Sequence, residues 1–112
     1  MNKARILAVD DQRYFRELIE GLLVEEGYSV QTTSSGEEAL HILEREDFDI
    51  VITDLAMPGI DGTELVRRVK ERLPEQEVVM VTGVVDVKTT VDAMKQGATD
   101  YILKPFDRSD LT

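Results

Sequence analysis

Cysteine is absent from the 112-residue sequence, and proline (3) and glycine (7) are scarce. Without cysteine the chain forms no disulfide and offers no thiolate to a metal ion, and so little proline and glycine excludes a collagen-like protein. The longest apolar runs have four residues, as in Ile6-Leu7-Ala8-Val9, whereas a membrane-spanning helix needs roughly 20. Asp10 and Asp11 follow that run directly, so it cannot be the core of a signal peptide. We therefore expect a cytoplasmic protein that does not enter a membrane.

Basic residues are also fewer than acidic residues. The sequence has 13 basic and 23 acidic residues, a formal net charge of −10. A negative field of this size repels phosphate backbones and anionic lipids, so we expect no direct nucleic-acid binding by this chain. Because 42% of the residues are hydrophobic, the chain can build one compact core, and we interpret residues 1–112 as a single domain.

Short apolar runs alternate with longer amphipathic stretches along the whole chain. The runs predict five strands, which are Arg5–Val9, Ser29–Thr33, Ile50–Thr53, Val78–Val81 and Tyr101–Leu103. Apolar residues at helical spacing predict helices between them, and the first helix has Phe15, Leu18, Ile19, Leu22 and Leu23 on its apolar side. Strands that alternate with helices are typical of a parallel sheet covered by helices on both faces.

Capping residues indicate where several helices begin and end. Gly27 is expected to end the first helix. Ser35 followed by Glu38 predicts a capping box at the start of the second. The third helix is predicted over Thr63–Leu73, with Leu73 on its apolar side, and the next residue is Pro74, which closes it.

The last two predicted helices differ in completeness. The fourth has Val87, Val91 and Met94 on its apolar side, and we expect this stripe to belong to the core. Ser109 and Asp110 are typical of the start of a fifth helix, but the sequence stops at Thr112. We therefore expect the C-terminal helix to be largely missing.

Polar residues stand at the ends of four predicted strands. Asp10 and Asp11 follow the first, Asp54 the third, Thr82 the fourth and Lys104 the fifth. The carboxyl ends of parallel strands meet at one edge of the sheet, which is where ligands bind in such folds. Three carboxylates at one place repel one another unless a proton or a cation joins them. Oxygen ligands without histidine or cysteine favour Mg²⁺ or Mn²⁺ over Zn²⁺.

This set of residue types also suits phosphoryl chemistry. A carboxylate beside a divalent ion can attack a phosphoryl group and become an acyl phosphate. An ionised carboxylate needs no general base, which fits the absence of histidine at this edge. The Lys104 ammonium and the Thr82 hydroxyl are suited to binding the transferred phosphoryl oxygens.

The motifs around these residues resemble those of the receiver domains of two-component response regulators. They are Val-Asp-Asp at 9–11, Asp-Leu-Ala-Met-Pro-Gly-Ile-Asp-Gly at 54–62, Val-Thr-Gly at 81–83 and Asp-Tyr-Ile-Leu-Lys-Pro-Phe at 100–106. Their order and spacing fit that family over essentially the whole chain. The segment 93–101 is most similar to receivers of enhancer-binding transcription activators.

The resemblance implies a flavodoxin-like, doubly wound α/β fold with a five-stranded parallel sheet in the order 2-1-3-4-5. It implies that Asp54 is the phosphoacceptor. It also implies that Mg²⁺ is held by Asp10, Asp11, Asp54 and the backbone carbonyl of Ala56. Many receivers carry a polar side chain at the position of Ala56, so side-chain control of hydrolysis is not expected there.

The resemblance further implies a conformational switch. Lys104 would contact the phosphoryl group, Thr82 would move toward a phosphoryl oxygen, and the aromatic ring of Tyr101 would turn inward in response. The surface of the fourth helix and fifth strand would then change, and a partner would read it. The implied partners are a sensor histidine kinase or phosphotransfer protein, as donor, and an output domain in the parent chain.

A homodimer is a further expectation from family topology, in which the first and fifth helices cover the same face of the sheet. With the fifth helix largely missing, apolar surface near the first, fourth and fifth strands would be open, and self-association would cover it.

Other functions fit less well. A haloacid-dehalogenase-type phosphatase also uses an aspartyl nucleophile with Mg²⁺, but it carries a second aspartate two residues later, where this chain has Ala56. A nucleotide-binding module would need a glycine-rich phosphate loop after the first strand, and the sequence has none. The remaining alternative is a receiver-like interaction module that works without phosphorylation.

Overall fold

The computed structural model describes the backbone of residues 4–54, 57–82, 94–95, 97–98 and 100–103, and the side chains of these residues except Thr82 and 100–103. Its elements, in chain order, are β1 (Arg5–Val9), α1 (Arg13–Glu25), β2 (Ser29–Thr33), α2 (Gly36–Arg45), β3 (Ile50–Thr53), α3 (Gly62–Arg72), β4 (Glu77–Thr82) and β5 (Asp100–Leu103). Within these described ranges, no helix has the length and apolar character needed to cross a membrane.

The strands form one parallel sheet in the order β2-β1-β3-β4-β5. The flavodoxin-like order predicted from the resemblance is therefore confirmed. The first three strands have the predicted bounds, and β4 is one residue longer at each end than predicted. The third helix begins one residue earlier than predicted, where Asp61 caps it, and it also ends one residue earlier, at Arg72.

The core consists of two layers, one on each face of the sheet. Alternate side chains of a strand point to opposite faces, so Leu7 and Val9 of β1 belong to one layer and Ile6 and Ala8 to the other. The first layer packs beneath α2 and α3, and the second beneath α1. Helix α1 contributes Ile19 and Leu23 to its layer, and α3 contributes Leu65, Val66 and Val69 to the other, as their helical spacing predicts.

Two side chains that we expected to face inward are exposed. Leu73 is 38% exposed and Met94 is 42% exposed. Helical spacing shows which side chains share a face, but it does not show how far the neighbouring structure extends over that face. Leu73 directly follows the last residue of α3, beyond the part of the helix that covers the sheet. Val87 and Val91, which share the predicted stripe with Met94, lie outside the described residues.

The apolar surface expected to be open on the α1 face is covered at β1 and β4. Ile6 and Ala8 of β1 and Val81 of β4 are all buried, in one cluster with Ile19 and Leu23 of α1. The side chains of β5 and the predicted fifth helix lie outside the described residues. The predicted homodimer is not tested by these contacts and stays a prediction.

Candidate functional site

The ends of β1 and β3 bring two aspartates together. The strands are neighbours in the sheet, with Val9 opposite Thr53, so the next residues, Asp10 and Asp54, emerge at the same edge. Backbone hydrogen bonds hold both positions after the strands end. The Asp54 N–H donates to the Val9 carbonyl (2.9 Å), and the Asp10 N–H donates to the Thr33 carbonyl (3.1 Å).

Carboxylate oxygens of Asp10, Asp11 and Asp54 lie within 4.8 Å of one another, and we call these three side chains the acidic cluster. Asp10 is 1% and Asp54 is 5% exposed, whereas Asp11 is exposed to solvent. Burial strengthens the repulsion among like charges. The donor set is all oxygen, and its exposed member leaves a side open to water, which Mg²⁺ characteristically retains. The residues present therefore fit a divalent, oxygen-preferring cation.

Neighbouring groups fix the orientation of Asp10. The backbone N–H of Gln12 donates to Asp10 Oδ1 (2.9 Å), and Arg16 Nη1 donates to the Asp10 backbone carbonyl (2.9 Å). Next to Asp54, the buried Thr53 hydroxyl donates to the Asp54 carbonyl (3.0 Å). The two buried carboxylates thus stand on backbone that is held from several directions.

The structure places the other predicted site residues only in part. Thr82 ends β4, so its backbone lies at the same edge of the sheet as the acidic cluster. Tyr101 lies in β5 opposite Met80 of β4. The side chains of Thr82 and Tyr101 are outside the described part, as are Ala56 and Lys104 altogether. The structure therefore brings together Asp10, Asp11 and Asp54, and the roles of the other residues stay predictions.

Gly59 and Ile60, which precede α3, pack closely on the start of α2. A Cβ atom added to Gly36 would lie 3.1 Å from the carbonyl oxygen of Ile60, and Ile60 itself packs against the core. Gly59 has a φ of +74°, and a Cβ atom there would meet Glu37 Oε2 at 2.5 Å. The Ser35 side chain caps α2 by accepting from the Glu38 N–H, as predicted. The Glu38 carboxylate accepts from the Thr33 hydroxyl instead of returning to the cap.

On the outer surfaces of α2 and α3, away from this edge, ion pairs lower the pKa of two glutamates. Hydrogen bonds from Arg67 and Arg68 lower the pKa of Glu64 from 4.5 to about 2. A hydrogen bond from Arg72 lowers the pKa of Glu44 and links the two helices (2.7 Å). Glu44 and the three arginines line an open groove of about 500 Å³ between α2 and α3.

Sequence reasoning missed two residues that help to hold Asp10, which are Gln12 through its backbone N–H and Arg16 through its side chain. The contact of Arg16 joins residues six apart, across a helix and the strand before it, and no short motif encodes it. One signal was available, since Arg13 and Arg16 stand at the start of a helix, where a positive charge is unfavourable.

Comparisons with known proteins agree with this geometry. The family model for the response regulator receiver domain matches residues 6–112. The chain is 40% identical over 104 residues to the response regulator protein FleR of Pseudomonas aeruginosa, an alignment that covers 93% of this chain and 22% of FleR. It is 39% identical over 99 residues to the DNA-binding transcriptional regulator NtrC of Klebsiella pneumoniae, covering 88% of this chain and 21% of NtrC. The chain thus spans about a fifth of the length of these two curated relatives.

Solved structures give the same result. The chemotaxis response regulator CheY4 of Vibrio cholerae superimposes with a TM-score of 0.92 at 31% identity, covering 98% of this chain and 93% of CheY4. NtrX of Brucella abortus superimposes with a TM-score of 0.92 at 35% identity, covering 99% of this chain and 25% of NtrX. With the predicted sheet order, the acidic cluster at its edge and these matches in hand, we conclude that the chain belongs to the response regulator receiver domain family.

Proposed function

We propose that this receiver domain, spanning residues 1–112, is a switch that accepts a phosphoryl group on Asp54 from the phosphohistidine of a sensor kinase or phosphotransfer protein. The observation that carries the proposal is the acidic cluster, in which Asp54 is almost buried and within 4.8 Å of two further carboxylates. Three carboxylates this close repel one another unless a proton or a cation joins them, and a bound cation would in turn bind phosphoryl oxygens.

Asp10, Asp11, Asp54 and the backbone carbonyl of Ala56 would hold Mg²⁺. When bound, Mg²⁺ neutralises the charge of the cluster and that of the phosphoryl oxygens. The protein's own residues fix the positions of these ligands. The backbone N–H of Gln12 and the side chain of Arg16 hold Asp10, and backbone hydrogen bonding to β1 holds Asp54.

In the proposed step, an Asp54 carboxylate oxygen attacks the phosphorus atom of the donor. An O–P bond forms as the N–P bond of phosphohistidine breaks, the electron pair of that bond stays on nitrogen, and the released nitrogen takes up a proton from water so that the donor leaves as neutral imidazole. Because Asp54 is ionised when it attacks, no residue of this chain has to remove a proton from it. Catalysis then depends on positioning and charge neutralisation.

We assign the switch to Lys104, Thr82 and Tyr101 on the strength of their match to the family motif. The acyl phosphate would offer Lys104 and Thr82 charge-assisted hydrogen bonds that exist only in the phosphorylated state. Movement of Thr82 would vacate space for the Tyr101 ring. The strand positions support this assignment, since Thr82 is at the end of β4 and Tyr101 is in the adjacent β5.

The output of the switch is proposed to lie elsewhere in a longer parent chain. NtrC is described as a DNA-binding transcriptional regulator, and this chain matches about a fifth of it. The net charge of −10 is unfavourable for contact with DNA, so any DNA binding would belong to the output domain. The family is regulatory, and the only reactions proposed for this domain are its own phosphorylation and dephosphorylation.

The test is the intact mass of the protein after incubation with Mg²⁺ and acetyl phosphate. We expect a gain of one phosphoryl group in the wild type, and none in Asp54→Asn or in the presence of EDTA. Asp61→Asn is the matched control, because Asp61 lies on the same segment but caps α3 and is outside the acidic cluster. Asparagine caps helices as well as aspartate does, so this variant should be phosphorylated like the wild type.

The alternative is an interaction module that works without phosphorylation. A folded wild-type protein that gains no phosphoryl group from either acetyl phosphate or a histidine kinase would favour it over the proposed function. Folding is checked by circular dichroism on the same samples.

A further inference from the structure

The first helix reverses the usual distribution of charge. In α2 and α3, acidic residues occupy the first turn and basic residues the last turn, which suits the positive N-terminal and negative C-terminal ends of the helix dipole. By contrast, α1 has no acidic residue in its first turn and no basic residue in its last. It begins with Arg13 and Arg16 among its first four residues and ends on Glu25. Departures from such local rules tend to mark functional sites.

The two arginines of α1 differ in their contacts. Arg13 points to solvent, with its side chain 82% exposed, and forms an ion pair with Glu17 (2.9 Å). Arg16 is half-buried and donates to the Asp10 carbonyl (2.9 Å). Within the described residues, Arg16 forms no ion pair at all. Its positive charge is therefore placed beside the acidic cluster by one hydrogen bond to the backbone that supports the cluster.

That hydrogen bond acts on the peptide that joins two of the three carboxylates. The Asp10 carbonyl belongs to the peptide between Asp10 and Asp11, and rotation of this peptide would move both side chains. Two further hydrogen bonds hold Asp10. Its backbone N–H donates to the Thr33 carbonyl, and the Gln12 N–H donates to Asp10 Oδ1. The hydrogen bond from Arg16 adds to these two, and its donor is a side chain of α1.

We propose that Arg16 is a positioning residue for the metal ligands. Its guanidinium holds the Asp10–Asp11 peptide in the orientation that binds the cation, and its charge reduces the repulsion within the acidic cluster before the cation arrives. This inference rests on the proposed function, because it assumes that the cluster binds Mg²⁺. When a group that hydrogen-bonds to a metal ligand is mutated, the affinity for the metal commonly falls.

The test compares Arg16→Met with Arg13→Met by isothermal titration of the metal-free protein with Mg²⁺. Both variants remove one positive charge from the same end of α1, but only the first removes a contact with Asp10. We expect Arg16→Met to bind Mg²⁺ about tenfold more weakly than the wild type, and Arg13→Met to bind it within about twofold, because an exposed charge is screened. Arg16→Lys keeps the charge and one donor but loses the planar fork, and we expect an intermediate affinity.

A second measurement separates positioning from a general loss of stability. In Arg16→Met, saturating Mg²⁺ should restore the rate of phosphorylation by acetyl phosphate, because only the binding of the ion is impaired. Amide hydrogen exchange of Asp11 and Gln12 in EDTA should be faster in Arg16→Met than in Arg13→Met. If Arg16→Met does not fold, Arg16→Gln takes its place in both measurements.

The outcomes are distinguishable from a failure of the proposed function. Equal Mg²⁺ affinities for Arg16→Met and Arg13→Met, in a wild type that binds the ion, overturn this inference alone. A folded wild type that binds no Mg²⁺ overturns both. A lower melting temperature for Arg16→Met with unchanged Mg²⁺ affinity identifies Arg16 as a structural contact only.

Discussion

Helices α1 and α3 bury similar apolar stripes but differ in their polar ends. In α3, the Asp61 side chain caps the N-terminus by accepting from the Glu64 N–H (2.9 Å), and basic residues occupy the last turn. In α1, the N-cap residue Gln12 makes no side-chain cap hydrogen bond, and arginines occupy the start. The polar residues of α3 stabilise the helix itself. Those at the start of α1 support the acidic cluster, where Gln12 and Arg16 hold Asp10.

The difference shows how a site can be supported at the expense of local stability. A helix with an uncapped, positively charged N-terminus is unfavourable on its own. In α1 it is held by burial of Ile19 and Leu23 against the sheet.

The largest effect tests whether the apolar anchoring of the two helices is equivalent. Leu23 of α1 and Leu65 of α3 are both buried, so Leu23→Ala and Leu65→Ala should each lower the free energy of unfolding by about 2–5 kcal/mol. The measurement is urea denaturation in EDTA, with Val24→Ala as control because Val24 is 53% exposed. A loss below about 1 kcal/mol at either leucine would show that its helix is held by other contacts.

The second effect tests the polar ends directly. Asp61→Ala removes the cap of α3 and should cost about 1 kcal/mol. Gln12→Ala should cost less than about 0.5 kcal/mol, because its side chain caps nothing and the backbone N–H that binds Asp10 remains. Thermal denaturation of both variants without metal gives the comparison. Equal costs would remove the distinction between the two helix starts.

The smallest effect is the pH dependence that arises from Glu64 of α3. Arg67 and Arg68 hold the pKa of Glu64 at about 2, below its usual 4.5. A carboxyl whose pKa is lower in the folded state stabilises the fold above its unfolded pKa and loses this contribution as pH falls. The stability advantage of wild type over Glu64→Gln should therefore be constant above pH 4.5 and disappear as the pH falls toward about 2. Chemical denaturation across this range measures it, and an advantage independent of pH would contradict the ion pairs.

The residues differ in how far the sequence predicted them. The strands were predicted well because buried apolar runs are short and bounded by turn residues, as in Arg5–Val9. The acidic cluster was predicted because parallel strands deliver their following residues to one edge, so Asp10 and Asp54 had to meet. Arg16 was missed because its contact depends on how α1 is oriented against β1. That orientation follows from core packing, and no local pattern expresses it.

The close approach of Gly36 and Gly59 to their neighbours limits which substitutions the segment after Asp54 can accept. A methyl group at 36 would press on the Ile60 backbone, and any side chain at 59 would require an unfavourable φ. Gly36, which is distant from Asp54 in sequence, and Gly59, within the segment itself, thus both restrict how this segment can vary. Among variants of residues 57–60, most that fold should retain glycine at 59, and a larger side chain at 36 should displace the Ile60 backbone while Asp54 itself is unchanged.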